Sequence, residues 1–381
     1  MENIDEKLYW FYETAIDTPN AVSIAENILD SSNLEIKVIT LASNQNLIEI
    51  LSKAKEDNYD LKITSKGNKL YKITLNKKRR NKTRLSGCFL LSSSEYAGIY
   101  NILTFENMDF VKNGIISFFN LYYPLVSPIY IDSNFMKNLL SEIEKELLDS
   151  KDPSLADMGI RSTRISSKSR IIKKDAMKEI ESDLKWTDEP FEDTFINVFS
   201  NNEWVNSIDF ILTPKMNIRP YNLELFDGIK CYLARNGLFK CNKKINFFYS
   251  TLINKISINA EENLKFFSNR ERKGAKNLSP NPISIEFEND IFQDKAQNKK
   301  LIETLRDIPY SSVSVIHGNP YLHCSFLDNR DGSSYDLWVL SHNKIIIVPQ
   351  MKSSFASLGK LCDSIFIGFR EGNIKEFTGA S

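Results

Sequence analysis

Apolar and polar positions along this chain recur with two periods, and each period marks a different kind of element. LEIKVITLA (34–42), rich in Ile, Val and Leu, is a strand candidate. YDLKIT and KLYKITL alternate apolar and polar residues on either side of Lys66-Gly67-Asn68, which predicts a hairpin with one buried face. CFLLSS (88–93), WVNSIDFILTP (204–214) and PISIEFE (282–288) read as further strands, and 220–258 as short strands around a turn at Asn236-Gly237. Helical spacing marks the rest. Thr18 caps and Pro19 opens a helix over NAVSIAENILD, because Pro suits a first turn whose amides have no partner anyway. Residues 44–55 carry Leu47, Ile48, Leu51 and Ala54 on one stripe. Residues 109–123 read as a buried helix broken by Pro124 and Pro128. Asp132-Ser133 caps a helix over 134–148 with Phe135, Leu139, Leu140, Ile143 and Leu147 facing inward. Helices are also expected over 260–267 and 293–305.

The last stretch, 311–372, alternates strand-like runs with turns and ends in one helix. That helix is capped by Ser353 or Ser354, striped by Phe355, Leu358, Leu361, Cys362, Ile365, Phe366 and Phe369, and stopped by Gly372. DSKDPSLAD (149–157) is short, polar and contains Pro, the composition of a linker. The expected organisation is therefore mixed α/β (α+β) in two domains. Residues 1–150 would be helix-rich around a small sheet, and 151–381 strand-rich, with antiparallel meanders and a closing helix.

Composition narrows this picture. The chain has 381 residues, 42% hydrophobic and 26% charged, which is globular usage. Lys+Arg and Asp+Glu both total 49, so attraction for nucleic acid has to come from local clusters. No apolar run reaches the length of a membrane span, and MENIDEKLYWFYE lacks a signal-peptide pattern. A cytoplasmic protein with no membrane partner is expected. Five scattered cysteines with no CxxC pair favour neither zinc nor a disulfide framework. His317 and His323 flank the turn Gly318-Asn319-Pro320 and are expected to bond its backbone, while His342 sits exposed in a turn.

One arrangement carries candidate chemistry. YDLWVL and KIIIVPQ are joined by the turn 341–344, and Asp336 precedes Gln350 and Lys352 by a hairpin-sized gap. On a single strand, Gln350 and Lys352 would face the same way. About forty residues here resemble the core of restriction-endonuclease-like nucleases of the Mrr type, in which an Asp, a hairpin and Gln-x-Lys follow a Gly-rich turn. Asp331-Gly332-Ser333-Ser334-Tyr335-Asp336 partly matches that turn. The resemblance implies Asp336 as a Mg²⁺ ligand beside Gln350, with Lys352 steadying water or phosphate, and Glu303 as an upstream helical acid. Pro349 departs from the pattern, since Pro is rare in central strands.

Three basic runs are the other candidates. They are Lys77, Lys78, Arg79, Arg80 and Arg84; Arg161, Arg164, Lys168 and Arg170; and Arg270, Arg272 and Lys273 behind Phe266 and Phe267. Cations interleaved with Asn and Ser suit phosphate oxygens, and aromatic rings suit bases. Abundant Asn, Lys, Ile and Ser with little Gly or Pro goes with an AT-rich microbial genome. The expected role is a non-catalytic or partner-dependent component of a prokaryotic nucleic-acid-directed system, such as defence against phage or plasmids. It would bind DNA, RNA or a protein partner through basic loops, with no cofactor. The alternative is a Mg²⁺-dependent Mrr-like nuclease.

Overall fold

A computed structural model describes residues 4–53, 58–78, 84–156, 158–173, 176–185, 204–214, 228–274, 281–318 and 321–377. For Arg84, Ala156, 161–165, 167–173, 176–185, Trp204 and 213–214 the backbone alone is described. The fold is mixed α/β, with helices and antiparallel sheets. It forms two compact units: Met1–Tyr122 with Val126–Glu261, and Tyr123–Leu125 with Glu262–Ser381.

The first unit is built on one large antiparallel sheet. Its strands are β1 (Ile36–Ser43), β2 (Tyr59–Gly67), β3 (Leu70–Lys78), β4 (Arg84–Ser93), β5 (Ile99–Thr104), β6 (Val126–Pro128), β7 (Met158–Lys173), β8 (Ala176–Lys185), β9 (Trp204–Pro214), β10 (Ile229–Ala234) and β11 (Leu238–Cys241). They run in the order β2-β3-β4-β5-β1-β11-β10-β9-β7-β8, with β6 pairing β1. The complete burial of β1, including Lys37, Thr40 and Ser43, has its explanation here. β1 lies between β5 and β11, and all eight of its residues are buried. The proposed linker at 149–157 falls inside this unit, because strands from both sides of it belong to the same sheet. A buried arginine helps join them. Arg235 reaches Ser133 Oγ at 3.1 Å and Val205 O at 2.9 Å, and its guanidinium lies over Tyr130.

Helices α1 (Ile4–Thr14), α2 (Thr18–Asp30), α3 (Leu47–Ser52), α4 (110–119), α5 (Ser133–Leu148) and α6 (245–268) accompany these strands. Asp17, not Thr18, caps α2, accepting from Asn20 N at 2.8 Å, since a carboxylate satisfies a free N–H better than a hydroxyl already used elsewhere. Thr18 Oγ1 instead meets Ser92 Oγ at 2.5 Å. In α5 the inward stripe is Met136, Leu139, Leu140, Ile143 and Leu147, with Phe135 only half-buried. Gly67 ends β2 at φ +152°, and a Cβ there would stand 2.2 Å from Ile16 O. No side chain fits that position, which explains the glycine in the predicted turn.

The second unit holds β12 (Arg272–Lys273), β13 (Ile283–Glu286), α7 (Lys295–Arg306), β14 (Ser311–His317), β15 (Leu322–Asp328), β16 (Ser333–Ser341), β17 (Lys344–Pro349), β18 (Lys352–Ser353), α8 (Phe355–Gly368) and β19 (Asn373–Glu376). Six of these strands form a sheet in the order β14-β15-β16-β17-β13-β19, every pairing antiparallel, and β12 pairs β18 separately. β15 and β16 alternate buried and half-exposed residues, so one face makes the core with α7 and α8. The expected closing helix is α8, capped by Ser354, whose Oγ accepts from Ser357 N at 3.2 Å.

Candidate functional site

The hairpin that resembles a nuclease core is present as β16–β17. Asp336 stands opposite Val348, and Tyr335 opposite Pro349. Pro349 is tolerated because β13 pairs β17 only as far as Ile347, so its missing N–H lies beyond the ladder. Its carbonyl accepts from Arg272 Nη1 at 2.8 Å. Beyond it the strand stops. Gln350 N still bonds Ser334 O at 2.9 Å, Met351 is a bend, and Lys352 joins β18 against Lys273. Gln350 and Lys352 are therefore not two positions of one strand. The side chains separate as well: Lys352 Nζ donates to Asp331 O, and Gln350 Nε2 to Val348 O at 3.4 Å.

Asp336 has a different companion. Its Oδ2 lies 3.7 Å from His323 Nε2, and the His323 ring stacks on Trp338. The register explains this, because His323 is opposite both His317 and Trp338, two residues along from the Ser325–Asp336 pair and so on the same face. Thus the histidines lie across strands from one another rather than serving only the turn. Among the described residues, no group of three or more His, Cys, Asp or Glu is placed to hold a metal ion. Mg²⁺ asks for an octahedron of oxygens, and a carboxylate beside an imidazole and a stacked indole does not supply one. The residues present do not fit that ion, and no chemical step is derived through it. Glu303, the upstream candidate, pairs with Lys299 on the surface of α7 at 3.8 Å.

The densest polar arrangement in the second unit lies one turn away. Asp328 ends β15 and is 1% exposed. Its carboxylate takes the Tyr123 hydroxyl, Ser357 Oγ at 3.2 Å and Arg330 N at 3.0 Å, with Lys360 Nζ at 3.7 Å. Burial and the carboxylate together push the Tyr123 hydroxyl far above its ordinary pKa. Burial lowers that of Lys360. Beside it, Asp331 Oδ2 takes Ser333 Oγ at 2.8 Å and Ser354 Oγ at 2.6 Å. The Arg330 guanidinium covers the Tyr123 ring at 3.9 Å. Every one of these groups is satisfied by another, so the cluster acts as an anchor for residues 123–125 and the start of α8. Sequence reasoning missed it because Tyr123 and Asp328 are far apart in the chain, and only the Ser- and Asp-rich 328–334 hints at it.

The basic runs fare differently from one another. Arg270 is buried; its Nη2 pairs with Glu376 at 2.7 Å, Nη1 reaches Phe266 O, and the guanidinium stacks on Phe266. Arg272 serves Pro349 O. This run was expected to face phosphate. Instead its two arginines hold β12 and α6 in place, and Phe266 is occupied by Arg270 rather than open to a base. Lys273 is exposed on β12.

The second run lies on β7, where the backbone register sets Arg170 opposite Glu179, Lys168 opposite Glu181 and Arg164 opposite Lys185. The start of the acidic stretch that follows this run is thus its backbone neighbour on β8. Arg161 stands opposite Ile211 on β9.

The first run occupies the end of the β3–β4 hairpin, whose last described pair is Lys78 with Arg84. Arg79 and Arg80 lie outside the described residues. Lys77 Nζ donates to Asn113 O at 2.8 Å and rests over Tyr59. Lys78 is exposed. Two lysines nearer the other end of this hairpin, Lys66 and Lys72, pair with Glu13 of α1. On the same face as Lys78 stand Asn76, Ser86 and, on β2, Asp60 and Lys62. No helix is long and apolar enough to cross a membrane among the described residues. A scan against protein-family models and a search of curated proteins both return no match for this chain.

Proposed function

We propose that this protein binds nucleic acid through the end of the β2–β3–β4 sheet, as a component of a prokaryotic nucleic-acid-directed system that relies on a partner for any chemistry. One observation carries the reading. Lys78 and Arg84, which bracket the centre of the densest basic run of the sequence, are backbone partners at the last described pair of the β3–β4 ladder, with Asn76, Ser86, Lys62 and one carboxylate, Asp60, on the adjoining face. Cations beside short hydroxyl and amide groups are the phosphate-contacting set. Arg270 and Arg272 of the third run are bonded within the fold, and the backbone register sets part of the second run opposite acidic positions, so binding is assigned to this hairpin.

The test is affinity for a short duplex and a single strand, measured by fluorescence anisotropy over a salt series. Affinity should fall linearly with salt on logarithmic axes, with a slope of about −0.7 to −0.9 per phosphate neutralised. Replacing Lys78, Arg79, Arg80 and Arg84 by Ala together should weaken binding and flatten the slope by about three units on that scale. Replacing Arg161 and Arg164 should change it far less. Binding that ignores both salt and the hairpin variants overturns the proposal.

A further inference from the structure

We propose that Cys231 and Cys241 form a reversible oxidation site, a disulfide joining β10 to β11, with a peroxide as the class of oxidant. Cys231 and Cys241 are direct partners in the antiparallel ladder. Direct partners point to the same face of a sheet, and both thiols are buried on the face that also carries Leu233 and Phe239. The hydrogen-bond pattern fixes which kind of pair they make. Asn242 N donates to Lys230 O at 3.3 Å, so 230 and 242 are a bonded pair. Bonded and non-bonded pairs alternate along an antiparallel ladder, and Cys231 and Cys241 therefore occupy a non-bonded one. There the Cα atoms stand about 4.5 Å apart and side chains approach most closely. A disulfide needs Cα atoms about 4.4–6.8 Å apart, so the pairing brings the two thiols within reach of one another.

The hairpin turn supports this register. Gly237 sits at φ +73° with Gly237 N bonded to Ala234 O at 3.0 Å, and a residue added or lost there would separate the two thiols. Burial pushes both thiols well above their ordinary range; Cys241 further disfavours ionisation of Cys231, and Glu26 and Glu35 disfavour that of Cys241. Oxidation is therefore slow at neutral pH and faster as pH rises, because the thiolate is the nucleophile. The step balances as follows. One thiolate attacks the peroxide oxygen, breaking the O–O bond and releasing water after protonation. The sulfenic acid formed is attacked by the second thiolate, forming the S–S bond and releasing a second water. Two thiols and one hydrogen peroxide give one disulfide and two waters.

The experiment treats the native chain with hydrogen peroxide, quenches, denatures, alkylates and digests with trypsin. Cleavage after Lys230, Arg235, Lys240 and Lys243 leaves Cys231 and Cys241 on separate short peptides. The expected result is one disulfide-linked species joining 231–235 to 241–243, abolished by a reductant. Two of the five thiols should be lost to alkylation together. A second reading is thermal: the oxidised chain should melt higher than the reduced one, and Cys231→Ala should remove the difference. Recovery of both peptides separately alkylated, or linkage of either to Cys88, Cys324 or Cys362, overturns the proposal. Should Cys231→Ala not fold, the linked peptide from the native chain decides alone.

Discussion

Replacing Asp328 by Ala is expected to loosen the whole second unit. The carboxylate is 1% exposed and holds the Tyr123 hydroxyl, Ser357 Oγ at 3.2 Å, Arg330 N at 3.0 Å and Lys360 Nζ at 3.7 Å. Truncation removes the shared acceptor and leaves two hydroxyls and an amide facing a small cavity. A hydrogen bond to a charged group contributes about 1.5–3 kcal/mol, and removing one partner of a buried pair costs about 3–5 kcal/mol. The contacts share one carboxylate, so they do not add, and about 3–5 kcal/mol is the expected loss. Against a domain stability of about 5–15 kcal/mol, that is roughly a fifth or more. It corresponds to a fall in Tm on the order of 10–20 °C. Tyr123→Phe removes one of the contacts and should cost about 1.5–3 kcal/mol. The assay is urea unfolding followed by circular dichroism, with the double variant completing a cycle. Because Tyr123 and Asp328 act together, the double variant should cost clearly less than the two singles summed. A loss under about 1 kcal/mol for Asp328→Ala, or strict additivity with Tyr123→Phe, would show that the cluster does not anchor α8.

Other outcomes follow from the same contacts. Lys66 and Lys72 donate to Glu13 and hold its carboxyl down to about 2. A depressed carboxylate stabilises the fold above its unfolded pKa, and that contribution is lost as pH falls from about 4.5 toward 2. Native and Glu13→Gln chains should thus differ by about 1 kcal/mol at neutral pH, after solvent screening, and converge near pH 2 in a denaturation series. Gly67→Ala should cost more than 1 kcal/mol by thermal melting, since its Cβ would strike Ile16 O at 2.2 Å. Plasmid DNA with Mg²⁺ should stay intact with the native chain and equally with Asp336→Ala and Lys352→Ala. Cleavage that disappears in Asp336→Ala would restore the nuclease reading.

What the sequence determined by itself was local. The strand composition of β1, the β2–β3 and β16–β17 hairpins, the stripes of α5 and α8 and the caps near Asp132 and Ser354 were all legible, because each depends on neighbours a few residues away. Which elements share a sheet was not. The polar segment at 149–157 has a linker's composition, yet β7 and β9 pair into the same sheet as β1, and composition carries no information about such pairings. The fate of charges was decided only in three dimensions. Arg270 looks like any surface cation in sequence, but Glu376 arrives from far along the chain to pair with it, and Phe266 packs under its guanidinium. Lys352 is drawn from Gln350 because the chain bends at Met351 to reach β12. Spacing sets which residues can share a face along one element, whereas convergence between elements is set by packing, which no local pattern records.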